Sequence, residues 1–156
     1  MIISFCGHST YIEKENHQTQ VLQILESEIG DKEAEFFLGE YGCFDSFAYK
    51  CAKIYQKNHA NAKLIYITPY IKSKKDILDQ ASRFDEIIYP PLETVPKRYA
   101  IFHRNRWIVD NSDVIITYIE HSFGGAFEMY KYAQKQHKKI YNLTRQTKHP
   151  KIIPFL

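Results

Sequence analysis

The residues best suited to chemistry lie in the stretch Ile119–Met129, IEHSFGGAFEM. Gly124 and Gly125 separate a β-branched run from a run of good helix formers, and Glu128 follows three positions on. A strand–glycine–helix junction turns the backbone tightly and lets a ligand approach. It also offers the free N–H groups of the first helical turn to an anion. Glu128, third in that helix, has two readings. It caps the helix and offsets its macrodipole, or it is an acid of raised pKa that assists departure of a leaving group.

Two more junctions carry glycine, Cys6-Gly7-His8-Ser9-Thr10 and the segment GEYGCFD that spans Gly39, Gly42 and Asp45. None of the three fits G-x-G-x-x-G or the P-loop pattern, which argues against dinucleotide reductases and P-loop NTPases. Together they predict a phosphate-containing ligand. His8, His121 and Ser122 fall in the junctions, where the histidines can hydrogen-bond phosphate or base. Asp45, opening a helix, either caps it or accepts from ribose hydroxyls. Arg104 shares a helical face with Trp107 and Ile108, whereas Arg106 points elsewhere. A guanidinium at the sheet edge grips phosphate or carboxylate through two parallel hydrogen bonds; the alternative is a surface arginine paired with Asp110. Tyr41, Tyr70 and Tyr89 are placed to stack on a base. No His/Cys/Asp/Glu group has metal-ligand spacing, so neither a catalytic metal nor a cofactor is expected.

These residues need a scaffold that gathers them. Short apolar runs at 2–6, 35–38, 63–68, 113–118 and 139–143 read as strands, the first as a buried central parallel strand. Helical spacing marks 19–29, 44–58, 99–111 and 125–137, with Gly30 ending the first. Residues 70–97 are the least regular, with a short helix in IKSKKDILDQASRF and a short strand in DEIIYPP that prolines stop. A Pro-containing tail closes the chain. This alternation predicts an α/β, Rossmann-like three-layer sandwich with a mostly parallel sheet, as a single domain over 1–156. In such sheets ligands bind at the strand carboxyl ends, where strand order reverses.

A chain of 156 residues with 44% hydrophobic and 25% charged residues buries a core without staples, which excludes wholesale disorder. No apolar run approaches a membrane span, and the start lacks a signal peptide's basic region and cleavage site. Cys6, Cys43 and Cys51 read as reduced thiols, so a cytoplasmic protein is expected. Residues 1–60 hold 5 Lys+Arg against 9 Asp+Glu, and residues 61–156 hold 16 against 9. The basic half suits an anionic partner. Its excess is too thin to mark a nucleic-acid surface, and nucleic acid is not expected as a partner.

The segments FCGH, GEYGCFD, YPPLETVPKRYAIFHRNRWIVDNSDVIITYIEHSFGGAFEMYKYA and KKIYNL resemble the SLOG superfamily over about Ile2–Leu143. The likeness is to its small single-domain bacterial and phage members of YpsA type. It implies nucleotide or ADP-ribose-like ligands at the strand carboxyl ends, homo-oligomerisation, and distant kinship with Lonely guy phosphoribohydrolases and DprA. The phosphoribohydrolase signature is a glycine pair, one residue, Gly-Thr, one residue, then Glu, preceded by a helix bearing an arginine. If Gly125-Ala126 matches its Gly-Thr, Glu128 falls on the catalytic glutamate and Arg104 or Arg106 on the arginine. Ser122 and Phe123 then replace the glycine pair. If Gly124-Gly125 is the pair, Glu128 lies one position early. The first expectation is therefore a nucleotide-binding sensor or sequestering protein. An N-glycosidic hydrolase of nucleoside 5′-monophosphates and a single-stranded DNA binder are the alternatives.

Overall fold

A computed structural model describes residues 1–144. The chain runs β1 (Ile2–Gly7), α1 (His17–Ile29), β2 (Ala34–Leu38), α2 (Cys43–Asn58), β3 (Ala62–Ile67), α3 (Lys74–Ala81), β4 (Glu86–Ile88), a 3-10 turn (Lys97–Tyr99), α4 (Ala100–Asp110), β5 (Val114–Tyr118), α5 (Gly125–Lys135) and β6 (Lys139–Asn142). The Pro-containing tail lies outside the described residues.

The strands form one six-stranded sheet in the order β4-β3-β2-β1-β5-β6. Every pairing is parallel. The chain steps outward on one side from β1 to β4, then returns across β1 to continue with β5 and β6. Strand order therefore reverses between β1 and β5, and the crevice at their carboxyl ends is the natural ligand position.

Alternation along each strand divides the core into two faces. Ile3, Phe5, Phe36, Leu38, Leu64, Tyr66, Val114 and Ile116 pack with α1 and α2. Cys6, Phe37, Ile65, Ile67 and Ile115 pack with Ile108 and Val109 of α4 and Met129 and Ala133 of α5. The result is a Rossmann-like sandwich of helix, sheet and helix. The four-residue spacing of Val21, Leu25 and Ile29 drives α1 onto the sheet, since these positions share one helical face. Ser73 starts α3 by accepting the Asp76 N–H at 3.3 Å, as an N-cap serine does.

Two of the junction glycines are explained by packing. An alanine Cβ at Gly7 would lie 2.2 Å from Phe44 Cγ, so the end of β1 needs glycine for α2 to dock. Gly42 has φ 98°, and a Cβ there would lie 2.6 Å from Ser9 Cα. At Gly125 an added Cβ meets nothing within 4 Å. Gly7→Ala is therefore expected to cost about 1–3 kcal/mol through overpacking. Gly125→Ala should stay within about 0.5 kcal/mol. Denaturant midpoints of the two variants check the contrast.

Candidate functional site

Three strand-to-helix junctions and helices α4 and α5 enclose a cavity of about 500 Å³ at the carboxyl ends of β1, β2 and β5. Gly7–Thr10 follow β1, Gly39, Tyr41 and Asp45 follow β2, and His121 with Phe123–Ala126 follow β5. Ile101, Arg104, Asn105 and Ile108 close it from α4, and Met129 from α5.

Arg104 dominates the electrostatics. It is 4% exposed, deep between α4 and the sheet. Its Nη1 donates to the Ile67 carbonyl at 3.0 Å, while Nε is buried without a partner. The guanidinium also lies 5.3 Å from the centre of the Tyr41 ring. No carboxylate among the described residues forms an ion pair with it. Burial holds its pKa below the usual arginine range, opposed chiefly by Asp45. A buried cation without a counter-ion is costly, and the usual remedy is an anion.

Asp45 stands close by. A Cβ at Gly39 would sit 2.9 Å from Asp45 Oδ2 and 3.0 Å from Arg104 Nη1, so the missing side chain leaves both groups open to one space. Asp45 Oδ2 accepts the Tyr41 N–H at 2.8 Å. Burial raises its carboxyl above the usual range, against the opposing pull of that N–H and of Arg104. The carboxylate thus pins the loop before α2 and lines the cavity.

At the other side, His8 is 5% exposed. Its Nε2 accepts the Glu120 N–H at 3.1 Å and the His121 N–H at 3.4 Å. Those bonds place its proton on Nδ1. The His121 ring stacks on His8 with centroids 3.5 Å apart, and Phe123 stacks on His121 at 3.9 Å. Gly124 has φ 91°, a conformation suited to glycine, and caps α5. The opening N–H groups of α5 follow at Gly125 and Ala126, both of which line the cavity.

Gly7, His8, Asp45, Arg104, His121, Gly124 and Gly125 of the expected residues border the cavity. Gly42, Tyr70, Arg106, Ser122 and Glu128 do not. Arg106 is exposed and lies over the rings of Phe102 and Tyr132, at 4.5 and 4.6 Å. Tyr70 sits under Lys97 at 5.6 Å. The Glu128 side chain is 56% exposed and lies 3.8 Å from Lys131 Nζ. Asn105 was missed, although its spacing from Ile101 and Ile108 puts it on the same face as Arg104. Phe123 falls in the junction after β5 that the sequence singled out, but no ligand role was assigned to it. Among the described residues no group of three or more His, Cys, Asp or Glu could hold a metal ion. No helix is long and apolar enough to cross a membrane among those residues.

No family model matches the sequence, and no curated protein matches it. Solved structures do share the fold. DNA processing protein A from Helicobacter pylori, in a structure addressing its single-stranded DNA binding mode, matches with a TM-score of 0.61 at 15% identity, over 96% of this chain and 67% of that one. DNA processing protein A (DprA) from Streptococcus pneumoniae matches with a TM-score of 0.59 at 14% identity, over 88% of this chain and 48% of that one. The structural-genomics target TM1055 matches with a TM-score of 0.54 at 10% identity, over 89% and 71%. At these identities the neighbours show a shared α/β fold. They also correct one expectation. Nucleic acid was set aside as a partner on charge alone, yet the fold is shared with a protein described by its binding of single-stranded DNA.

The histidines give the site a pH signature. His8 is held below its ordinary value of 6.5 by burial and then by the His121 imidazole, with Glu120 opposing. His17, whose Nδ1 receives the Tyr11 hydroxyl at 2.7 Å, is lowered by burial and Lys14, with Glu13 opposing. A lowered histidine pKa means the unfolded chain binds more protons, so its stability contribution is complete above 6.5 and is lost as pH falls. The raised Asp45 carboxyl acts in the opposite sense. Melting temperature is expected to be level from pH 6.5 to about pH 8 and to fall below that window. His8→Gln should flatten that fall, as a pH series of thermal melts will register.

Proposed function

We propose that the protein binds a nucleotide or ADP-ribose-type ligand in this cavity, as a sensor or sequestering protein. The observation that carries the reading is Arg104, a guanidinium 4% exposed that lines the cavity without a carboxylate partner among the described residues. Its Nη1 borders the open space beside Gly39, where a phosphate supplies several acceptors. The first-turn N–H groups of α5, on the opposite flank, offer donors and a favourable dipole to a further anionic or acceptor group of the ligand. Asp45, with its raised carboxyl, suits ribose hydroxyls. Binding is preferred to N-glycosidic hydrolysis because the Glu128 carboxylate faces Lys131 and solvent.

Single-stranded DNA is a second reading, supported by the shared fold with DNA processing protein A. A DNA ligand would present the same phosphate chemistry to Arg104. It differs in requiring a contiguous basic surface, and its affinity would fall steeply with salt.

AMP and ADP-ribose are each expected to raise the melting temperature of the wild-type protein without release of free base. Arg104→Met should abolish that shift while leaving the ligand-free protein folded, because it removes a buried unpaired charge. Glu128→Gln should leave the shift unchanged. Base released in a Glu128-dependent manner would establish the hydrolase instead. An oligonucleotide that binds more tightly than AMP, with a steep salt dependence, would favour DNA.

A further inference from the structure

We infer that Phe123 is the platform on which the ligand's heteroaromatic base stacks, which makes it the residue that separates nucleotides from plain sugar phosphates. The inference rests on the cavity holding a phosphate ligand, as proposed above, and adds how the rest of that ligand is recognised.

The observation is an ordered ladder of rings at the cavity wall. His8, His121 and Phe123 stack in sequence with interplanar angles of 13° and 22° and centroid spacings of 3.5 and 3.9 Å. The first ring is fixed twice over. It is 5% exposed, and two backbone N–H groups donate to its Nε2. The last ring is the opposite case. Phe123 is 69% exposed, borders the cavity, and meets no aromatic ring among the described residues other than His121.

Single exposed apolar side chains are common and need no ligand to explain them. Phe123 differs because its orientation is imposed. Its stacking partner is the His121 imidazole, which itself rests on the buried ring of His8, so the ring is held beside the cavity before any ligand arrives. A pre-ordered ring with an uncovered face is what stacking of a planar base requires. Base–aromatic stacking tolerates many bases, because each has a π-face.

The dimensions agree. Adjacent strands lie about 4.8 Å apart, so the Gly39–Asp45 side of the cavity beyond β2 and the His121–Phe123 side beyond β5 are separated by roughly 10 Å. A nucleoside monophosphate bridges such a gap, with its phosphate toward Arg104 and its base toward Phe123. Ribose 5-phosphate satisfies the first group and leaves the second empty.

Calorimetric titration of AMP and of ribose 5-phosphate tests this, using wild-type protein, Phe123→Ala and Phe123→Trp. AMP is expected to bind wild type about tenfold or more tightly than ribose 5-phosphate. Phe123→Ala should erase most of that preference by weakening AMP alone. Phe123→Trp should preserve it, with quenching of the new indole on AMP addition but not on ribose 5-phosphate addition. An AMP preference unchanged in Phe123→Ala overturns the inference while leaving the phosphate site standing. Binding of neither compound to wild type defeats both readings.

Discussion

A guanidinium buried without a carboxylate is the constraint to which the rest of this site answers. Arg104 is committed to the interior by α4, whose Ile108 and Val109 pack against the sheet. Its single carbonyl partner, Ile67 O, ends β3. No carboxylate among the described residues pairs with it at contact distance. Asp45 is near enough to feel it, yet its nearest hydrogen bond goes to the Tyr41 backbone. Taking two opposite charges out of water and keeping them from pairing is unfavourable on its own terms. It becomes favourable when a third, anionic group sits between donors, and the absent side chain of Gly39 leaves that space open.

The architecture explains why the charge lies where it does. A parallel sheet whose order reverses beside its first strand leaves a crevice that no crossover helix covers. Arg104 reaches it from one flank and the α5 amides from the other. The junction glycines, which look alike in sequence, then divide by cause. Gly7 and Gly42 exist because Phe44 and Ser9 press against them, whereas Gly124 and Gly125 have open space around them. That last pair, with Gly39, is free to bring backbone close to a ligand.

Much of this was legible in the residues. Continuous apolar runs such as Ile2–Cys6 can hardly be anything but buried strands, and the wide helix spacing settles a parallel sheet. The burial of Arg104 and exposure of Arg106 follow from helical periodicity alone. The same periodicity carried a signal about Glu128 that its motif-like position masked. Met129 and Ala133 are the buried positions of α5, which turns the preceding residue toward solvent. Other features had no local trace. The clash between Gly7 and Phe44 joins residues far apart in sequence, and the ring ladder needs β1 and the loop after β5 to meet. Net charge was a poor guide to nucleic acid, since it sums over a whole surface and says nothing of fold, and the fold is shared with a protein described by its binding of single-stranded DNA.

The loop after β1 touches both of its neighbours. Ser9 O accepts the Cys43 N–H at 3.0 Å, and His8 Nε2 holds the backbone of Glu120 and His121. The three segments around the cavity are consequently not independent flaps. They form one collar with its hub on β1, so a displacement felt at the start of α2 is passed to the start of α5 through two adjacent residues. A ligand seated against one part of that collar therefore bears on the other two through those bonds.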